Sequence, residues 1–187
     1  MQFYLIRHGQ ADTTRSADPY APPLTALGRA QAEAVAQACR EWQIQFLCAS
    51  TMRRAQETAD IIHQQTPQAT RWDLEELEDV TLDDLNYEPG ASHLVSTWAP
   101  EQFDRGLGRT WIRVMAALAR IQIYAQTNGI ERIAIVAHGS TLTLLLLNWL
   151  GKDWTAHRQL ALPVDNGATC RVDLQGEQVT VAWLNRI

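Results

Sequence analysis

The alternation of apolar runs with amphipathic stretches predicts a three-layer α/β/α fold with a mostly parallel central sheet and an antiparallel edge strand. Two apolar runs, Tyr4-Leu5-Ile6 and residues 133–137, end in the same pair of residues, His8-Gly9 and His138-Gly139. A buried strand that ends in polar and flexible residues is typical of α/β proteins, because ligands lie beyond the carboxyl ends of parallel strands. If the two strands are neighbours, the two imidazoles face one another across a pocket.

The elements are predicted in order from periodicity, capping residues and breakers. Six strands are predicted. The first begins at residue 2 or 3, and the other five cover 44–49, 70–74, 131–137, 169–174 and 178–184. The last two form a hairpin. Four helices are predicted, from the N-cap Thr25 to about Trp42, from Ser50-Thr51 to Pro67, from about Arg109 to Thr127, and over 140–150. Residues 11–23 are a predicted loop over the site, and residues 80–108 are predicted as loop with short helices.

Composition narrows the class of protein. A chain of 187 residues, 46% hydrophobic and 20% charged, predicts a single domain over residues 1–187. The net charge of -5 argues against nucleic-acid or membrane-surface binding, which usually needs a basic excess. The longest apolar stretch, 142–150, is too short to span a bilayer, and no signal peptide is recognised, so we expect a cytoplasmic protein. Cys39, Cys48 and Cys170 lack metal-binding spacing and are predicted to be buried, reduced thiols.

Four basic or imidazole side chains are predicted at strand ends or helix starts: Arg7, His8, Arg54 and His138. Such groups repel one another unless an anion lies between them, and arginine forks match the oxygens of a phosphoryl group. The helix that starts after Gly139 points backbone N–H groups toward the same place. An imidazole can then act as nucleophile and form an N–P bond, which water later hydrolyses. A carboxyl group from the cluster at 75–79 can protonate the leaving alkoxide and later activate water.

The motifs together resemble one family. In order, they are Leu5-Ile6-Arg7-His8-Gly9, Pro23-Leu24-Thr25-Ala26-Leu27-Gly28 with Gln31-Ala32, Ser50-Thr51-Met52-Arg53-Arg54-Ala55-Gln56-Glu57-Thr58-Ala59, and Val136-Ala137-His138-Gly139. This set is similar to the histidine phosphatase superfamily, also called phosphoglycerate-mutase-like, from residue 2 to about 174 with 80–108 unmatched.

The resemblance implies that His8 is the phosphorylated nucleophile and that Arg7, Arg54 and His138 hold the phosphoryl oxygens. Arg54 matches the family pattern because it precedes the alanine, whereas Arg53 is predicted to be solvated. The segment Leu74-Glu75-Glu76 matches the Leu-x-Glu of many members and makes Glu76 the expected general acid. The Gly and Trp-Glu-Gly that usually follow are absent, which leaves Glu78 as the alternative acid.

Five further positions carry predictions outside the four motifs. Thr14 stands where the mutase branch of the family has an asparagine that touches the phosphate. Ser140 lacks the G-x-S-x-G context of a nucleophilic serine and is predicted to cap a helix. Trp98, Phe103 and Tyr87 either form an apolar wall for a leaving group or, the favoured interpretation, pack in the core.

The favoured function is metal-independent hydrolysis of phosphomonoesters, with a small phosphorylated metabolite or a phosphoprotein as substrate and no cofactor. Phosphoglycerate mutase activity is the alternative, although the chain looks too short to cover the site and exclude water. His8, His138 and Glu76 could instead hold a metal ion, but Arg7 and Arg54 oppose a divalent cation. A phosphate-binding module with weakened catalysis is the third possibility. Neither the substrate, which segments 11–23 and 80–108 would select, nor the oligomeric state can be inferred from the sequence.

Overall fold

A computed structural model describes residues 1–12, 21–85, 98–160 and 162–187. Its strands are β1 (Gln2–Arg7), β2 (Phe46–Ser50), β3 (Thr70–Leu74), β4 (Arg132–Ala137), β5 (Thr169–Gln175) and β6 (Gln178–Arg186). Its α-helices are α1 (Ala26–Glu41), α2 (Arg53–Gln65), α3 (Pro100–Thr127) and α4 (Gly139–Trp149). Short 3-10 helices cover Glu75–Leu77, Leu82–Leu85 and Trp154–Arg158.

The six strands form one sheet in the order β3-β2-β4-β1-β5-β6. The first four strands in that order are parallel to one another, and β5 and β6 add an antiparallel hairpin at the edge. This architecture confirms the predicted fold class. The register pairs Arg7 of β1 with Ala137 of β4, so the two His-Gly pairs leave neighbouring strands at the same level.

Helices cover the sheet on both faces, because successive side chains of a buried strand point in opposite directions. Phe3 and Leu5 of β1 belong to a core with residues of α3 and α4. Tyr4 and Ile6 of the same strand belong to a second core with residues of α1 and α2. The continuous apolar run of β1 is therefore explained by burial on both sides.

The start of α3 differs from the prediction, because the helix begins at Pro100 rather than at about Arg109. Gly106 and Gly108 interrupt the apolar pattern and weaken helix propensity. Packing accounts for both glycines. A β-carbon on Gly106 would lie 3.0 Å from the Trp98 ring, and one on Gly108 would lie 3.2 Å from the Trp154 ring.

Other predictions for individual residues are confirmed. Thr25 caps α1 by accepting a hydrogen bond from the Gly28 N–H. All three cysteines are buried and free. Trp98 is buried in the core with Phe103 packed against that core, whereas Tyr87 lies outside the described residues. No helix in the described part of the chain is long and apolar enough to cross a membrane.

Candidate active site

The ends of β1 and β4 bring two imidazoles together. The ring centroids of His8 and His138 are 5.0 Å apart, and the ring planes are inclined by 58°. Both side chains are buried, with His8 6% and His138 0% exposed. Two neutral rings can share such an enclosed space, whereas two imidazolium rings would repel each other strongly.

His8 has one ring nitrogen whose role is fixed by its surroundings. Its Nδ1 lies 2.8 Å from the carbonyl oxygen of Gly9, which can only accept, so Nδ1 carries the proton and donates it. Nε2 accepts a hydrogen bond from Nε of Arg54 at 3.1 Å. Burial lowers the pKa of His8 well below its ordinary value, and His138 and Arg54 lower the pKa further. The ring is therefore neutral, with a lone pair on Nε2.

His138 is fixed from the opposite side. Its Nε2 lies 2.8 Å from the hydroxyl oxygen of Ser50, which also accepts from the N–H of Met52 at 3.2 Å. Its Nδ1 has no hydrogen-bond partner among the residues that the structure describes, and lies 4.0 Å from Oδ2 of Asp79. Burial lowers the pKa of His138 well below its ordinary value, with smaller contributions from Arg54 and Arg113.

The two arginines approach the histidines from different elements. Arg54, in the first turn of α2, is 8% exposed, and its Nη2 lies 3.6 Å from Oδ2 of Asp79. Arg7 ends β1 and donates from Nη1 to the carbonyl of Val164 at 2.6 Å. Its guanidinium group lies beside the start of α4, 3.7 Å from where a β-carbon of Gly139 would be. The N-terminal N–H groups of α4 thus face the same region as Arg7.

Hydrogen bonds from distant parts of the chain hold the backbone of the His8 loop. The Gly9 N–H donates to the hydroxyl oxygen of Thr58 at 3.2 Å, and that hydroxyl donates to the Arg54 carbonyl at 2.8 Å. Asn166 donates from Nδ2 to the His8 carbonyl at 3.1 Å. These bonds tie the nucleophile candidate to α2 and to the segment before β5.

The structure does not bring the carboxylate of Glu76 to the two histidines. That carboxylate forms an ion pair with Arg120 of α3 at the protein surface. Glu78, the alternative acid, accepts a hydrogen bond from the Thr51 hydroxyl, and burial raises the pKa of its carboxyl. A metal site of His8, His138 and Glu76 is not assembled, and no group of three or more potential ligands is found among the described residues.

Asp79 is the acidic residue that lies against the histidine-arginine group, whereas the family motif favoured Glu76 with Glu78 as the alternative. The prediction that Ser140 caps a helix is wrong, because Ser140 lies inside α4 and its hydroxyl donates to Oδ1 of Asp79. Arg113 of α3 donates to the backbone carbonyls of Glu76, Glu78 and Asp79 at 2.9, 2.8 and 2.7 Å. The family pattern carries no signal for Asp79, Ser140 or Arg113. Thr14 lies outside the described residues.

A doubly covered α/β sheet with an Arg-His-Gly and a second His-Gly at adjacent strand ends is the arrangement of a histidine phosphatase. The chain belongs to the histidine phosphatase superfamily (branch 1), whose family model matches residues 3–187. This finding confirms the resemblance carried by the four motifs.

A relative supports this membership over nearly the whole chain, and solved structures share the fold. The chain is 31% identical to a "Probable phosphoglycerate mutase GpmB" of Yersinia enterocolitica, covering 94% of this chain and 86% of the relative. Its fold matches the alpha-ribazole phosphatase from Shigella flexneri with a TM-score of 0.74 and 23% identity, covering 99% and 96% of the two chains. A mycobacterial glucosyl-3-phosphoglycerate phosphatase matches with a TM-score of 0.77 and 21% identity, covering 100% and 99%.

Proposed function

We propose that this protein hydrolyses phosphomonoesters without a metal ion, through a phosphohistidine on His8. The observation that carries the proposal is the 2.8 Å contact between Nδ1 of His8 and the Gly9 carbonyl oxygen, which assigns the ring proton to Nδ1. Because Nδ1 donates to the Gly9 carbonyl, the lone pair of Nε2 is available toward Arg54 and His138. A buried, neutral imidazole with an oriented lone pair is a suitable nucleophile for phosphorus.

The cationic groups around His8 fit a phosphoryl dianion. Arg54 can transfer its Nε hydrogen bond from His8 to a phosphoryl oxygen, and Arg7 and the N-terminus of α4 can bind the others. His138 has an Nδ1 without a hydrogen-bond partner among the described residues and faces the same space. Donors fixed in a buried site stabilise charge that develops in the transition state at little reorganisation cost.

The leaving oxygen needs a proton, which a carboxyl group of the segment 75–79 would supply. Glu76 stays the prediction from the family motif, and it would have to leave Arg120 to reach the site. Glu78 accepts a hydrogen bond from the hydroxyl of Thr51, just before α2. Its raised pKa favours a protonated carboxyl group.

The substrate class is a phosphorylated small molecule, by analogy with the alpha-ribazole and glucosyl-3-phosphoglycerate phosphatases that share the fold. The names of the GpmB relatives favour mutase activity as a second candidate function. The two functions are separated by incubating the protein with 3-phosphoglycerate. A hydrolase releases inorganic phosphate faster than 2-phosphoglycerate forms, whereas a mutase does the reverse. Activity that survives a chelator would support the metal-independent reaction.

The first prediction tests the nucleophile. Protein quenched during turnover of a ³²P-labelled phosphomonoester should carry a label that survives base and is lost in acid, as an N–P bond behaves. His8→Ala should carry no label because the nucleophile is missing. His138→Ala should still label but more slowly, by roughly 10²- to 10³-fold, because it loses one donor to the transition state.

A matched control is His157→Ala, since that ring contacts Trp154 and Asp104 rather than the site, and its labelling should equal that of the wild type. A base-labile label, or a label retained by His8→Ala, would overturn the mechanism. Tight phosphate binding without turnover of any phosphomonoester would instead support a binding module.

A further inference from the structure

We propose that Asp79 is the proton donor to the leaving group and the base that activates water in the second step. The inference rests on the proposed phosphohistidine reaction and assigns one of its roles to a residue outside the Leu-x-Glu motif. It is carried by the placement of one carboxylate oxygen between the two groups that would bind the phosphoryl group.

One oxygen of Asp79 is anchored and the other faces the site. Oδ1 accepts hydrogen bonds from the Val80 N–H at 3.1 Å and from the Ser140 hydroxyl. Oδ2 lies 3.6 Å from Nη2 of Arg54 and 4.0 Å from Nδ1 of His138. The side chain of Asp79 is 34% exposed, so an alcohol or a water molecule can approach Oδ2 from solvent.

The backbone of Asp79 is held as firmly as its carboxylate. Arg113 donates to the Asp79 carbonyl and forms an ion pair with Asp84 at 3.1 Å, which fixes the segment against α3. The other two acidic candidates have different partners, since Glu76 pairs with Arg120 and Glu78 accepts from Thr51. Among these three carboxylates, Asp79 is the one within 4.0 Å of both Arg54 and His138.

A phosphoryl dianion bound to Arg54 and His138 would lie next to Oδ2 of Asp79. This placement brings Oδ2 within reach of the oxygen that leaves, which is the position that a general acid needs. The proposal requires Asp79 to carry its proton into the first step.

The atoms balance over the two steps. In the first step, the Nε2 lone pair of His8 forms the N–P bond while the ester P–O bond breaks. The leaving oxygen takes the P–O electron pair and the proton of Asp79, which gives an alcohol and a carboxylate. In the second step, Asp79 removes a proton from water as the water oxygen attacks phosphorus. The N–P bond breaks, Nε2 recovers its lone pair, phosphate leaves, and Asp79 is protonated again.

The second prediction concerns the dependence of rate on the leaving group. A general acid contributes roughly 10²- to 10⁴-fold when the leaving group is a poor one, such as an alkoxide. Asp79→Asn should therefore lose kcat/KM by that factor on an alkyl phosphate and far less on p-nitrophenyl phosphate. Along a series of aryl phosphates, the plot of log kcat/KM against the pKa of the phenol should become steeper. Ser140→Ala removes only a hydrogen bond that holds the Asp79 carboxylate. It should lower kcat/KM on the alkyl phosphate and steepen the plot for aryl phosphates, each by less than Asp79→Asn does.

Glu75→Gln is the matched control, because it removes an exposed acid of the same segment that has no role in the proposed reaction, and it should leave the slope unchanged. With p-nitrophenyl phosphate, Asp79→Asn should also accumulate labelled His8, because water activation is lost. Equal losses on all leaving groups, or a steeper slope in Glu76→Gln instead, would overturn the role of Asp79. If wild-type His8 carries no label, the failure lies with the proposed function. If Asp79→Asn unfolds, Ser140→Ala decides alone, and an unchanged slope in that variant would overturn the role.

Discussion

At the scale of single residues, Arg54 has two roles that exclude each other in time. Its Nε donates to the same lone pair of His8 that would attack phosphorus. The hydrogen bond orients the imidazole, and it must pass to a phosphoryl oxygen before the N–P bond can form. Arginine suits this exchange because several N–H donors of one planar group can be redistributed without moving the side chain far.

The third prediction follows from that exchange. Arg54→Lys keeps the charge but replaces a planar fork of donors with one ammonium group, which cannot pass its hydrogen bond from the imidazole to the phosphoryl oxygens in the same fixed geometry. We expect kcat/KM to fall by about 10²- to 10³-fold, as for the loss of a transition-state donor. Arg53→Lys is the matched control, because the exposed Arg53 side chain pairs with Glu57 instead. Steady-state kinetics of the two variants measures the difference. Equal losses of kcat/KM in Arg54→Lys and Arg53→Lys would contradict this role of Arg54.

Residues that belong to a contiguous motif could be predicted from the sequence, and those defined by contacts could not. Arg7, His8, Arg54 and His138 all lie at the predicted place because each follows a recognisable strand or starts a helix. Asp79 acquires its position from Ser140, 61 residues further along the chain, and from Arg113 on α3. No local pattern encodes such a contact, so the sequence offered no reason to prefer Asp79 to the other carboxyl groups of the cluster.

At the scale of elements, the loop after β1 lies unusually close to α1. A β-carbon on Gly9 would lie 2.2 Å from the Gly28 carbonyl oxygen, and one on Gly28 would lie 2.0 Å from the Gln10 carbonyl oxygen. The N–H of Gln10 also donates to the side chain of Gln31 at 2.8 Å. The motif residues Gly28 and Gln31 therefore position the loop that carries His8.

The fourth prediction separates this packing from helix propensity. Alanine in place of glycine usually stabilises a helix by about 1 kcal/mol. Gly28→Ala should instead lower the free energy of unfolding by about 1–3 kcal/mol, because the backbone must shift to admit the methyl group. It should also reduce kcat, since the shift moves the His8 loop.

Ala30→Gly, at an exposed position of the same helix, is the control for propensity and should cost about 1 kcal/mol without affecting kcat. Urea unfolding and steady-state kinetics measure both effects. A Gly28→Ala variant more stable than the wild type would show that the contact with Gln10 is unimportant.

The predicted elements were most accurate where burial and periodicity act in the same direction. The two-sided burial of β1 and β4 gives continuous apolar runs, which the sequence displays directly. The early start of α3 could not be predicted, because its first turns are stabilised by the packing of two glycines against tryptophans from other segments. Tertiary contacts of this kind override local propensity.

At the scale of the whole molecule, the fold concentrates positive charge within an acidic protein. The net charge of the chain is -5, yet Arg7 and Arg54 lie beside two buried histidines. A general excess of negative charge repels a polyanion, whereas a small phosphorylated substrate can be attracted to the local positive charge of Arg7 and Arg54.

The fifth prediction is that buried neutral histidines make stability depend on pH. The pKa values of His8 and His138 are lowered by burial, whereas in the unfolded chain both titrate near the ordinary value of about 6.5. As the pH falls below that value, the unfolded state binds protons that the folded state does not. The free energy of unfolding therefore decreases, by up to about 1.4 kcal/mol per pH unit for each histidine.

Urea unfolding between pH 7 and pH 5 measures this dependence. Because carboxyl groups also titrate in that range, the contribution of the histidines is isolated by comparing variants. His138→Asn should show a shallower fall in stability than the wild type, because one of the two buried rings is gone. His157→Asn keeps both buried rings and should retain the wild-type slope. Inorganic phosphate should reduce the fall in the wild type, because a bound anion stabilises protonated histidine next to it. Identical slopes for the wild type and His138→Asn would mean that the ring of His138 accepts a proton in the folded protein as readily as in the unfolded chain.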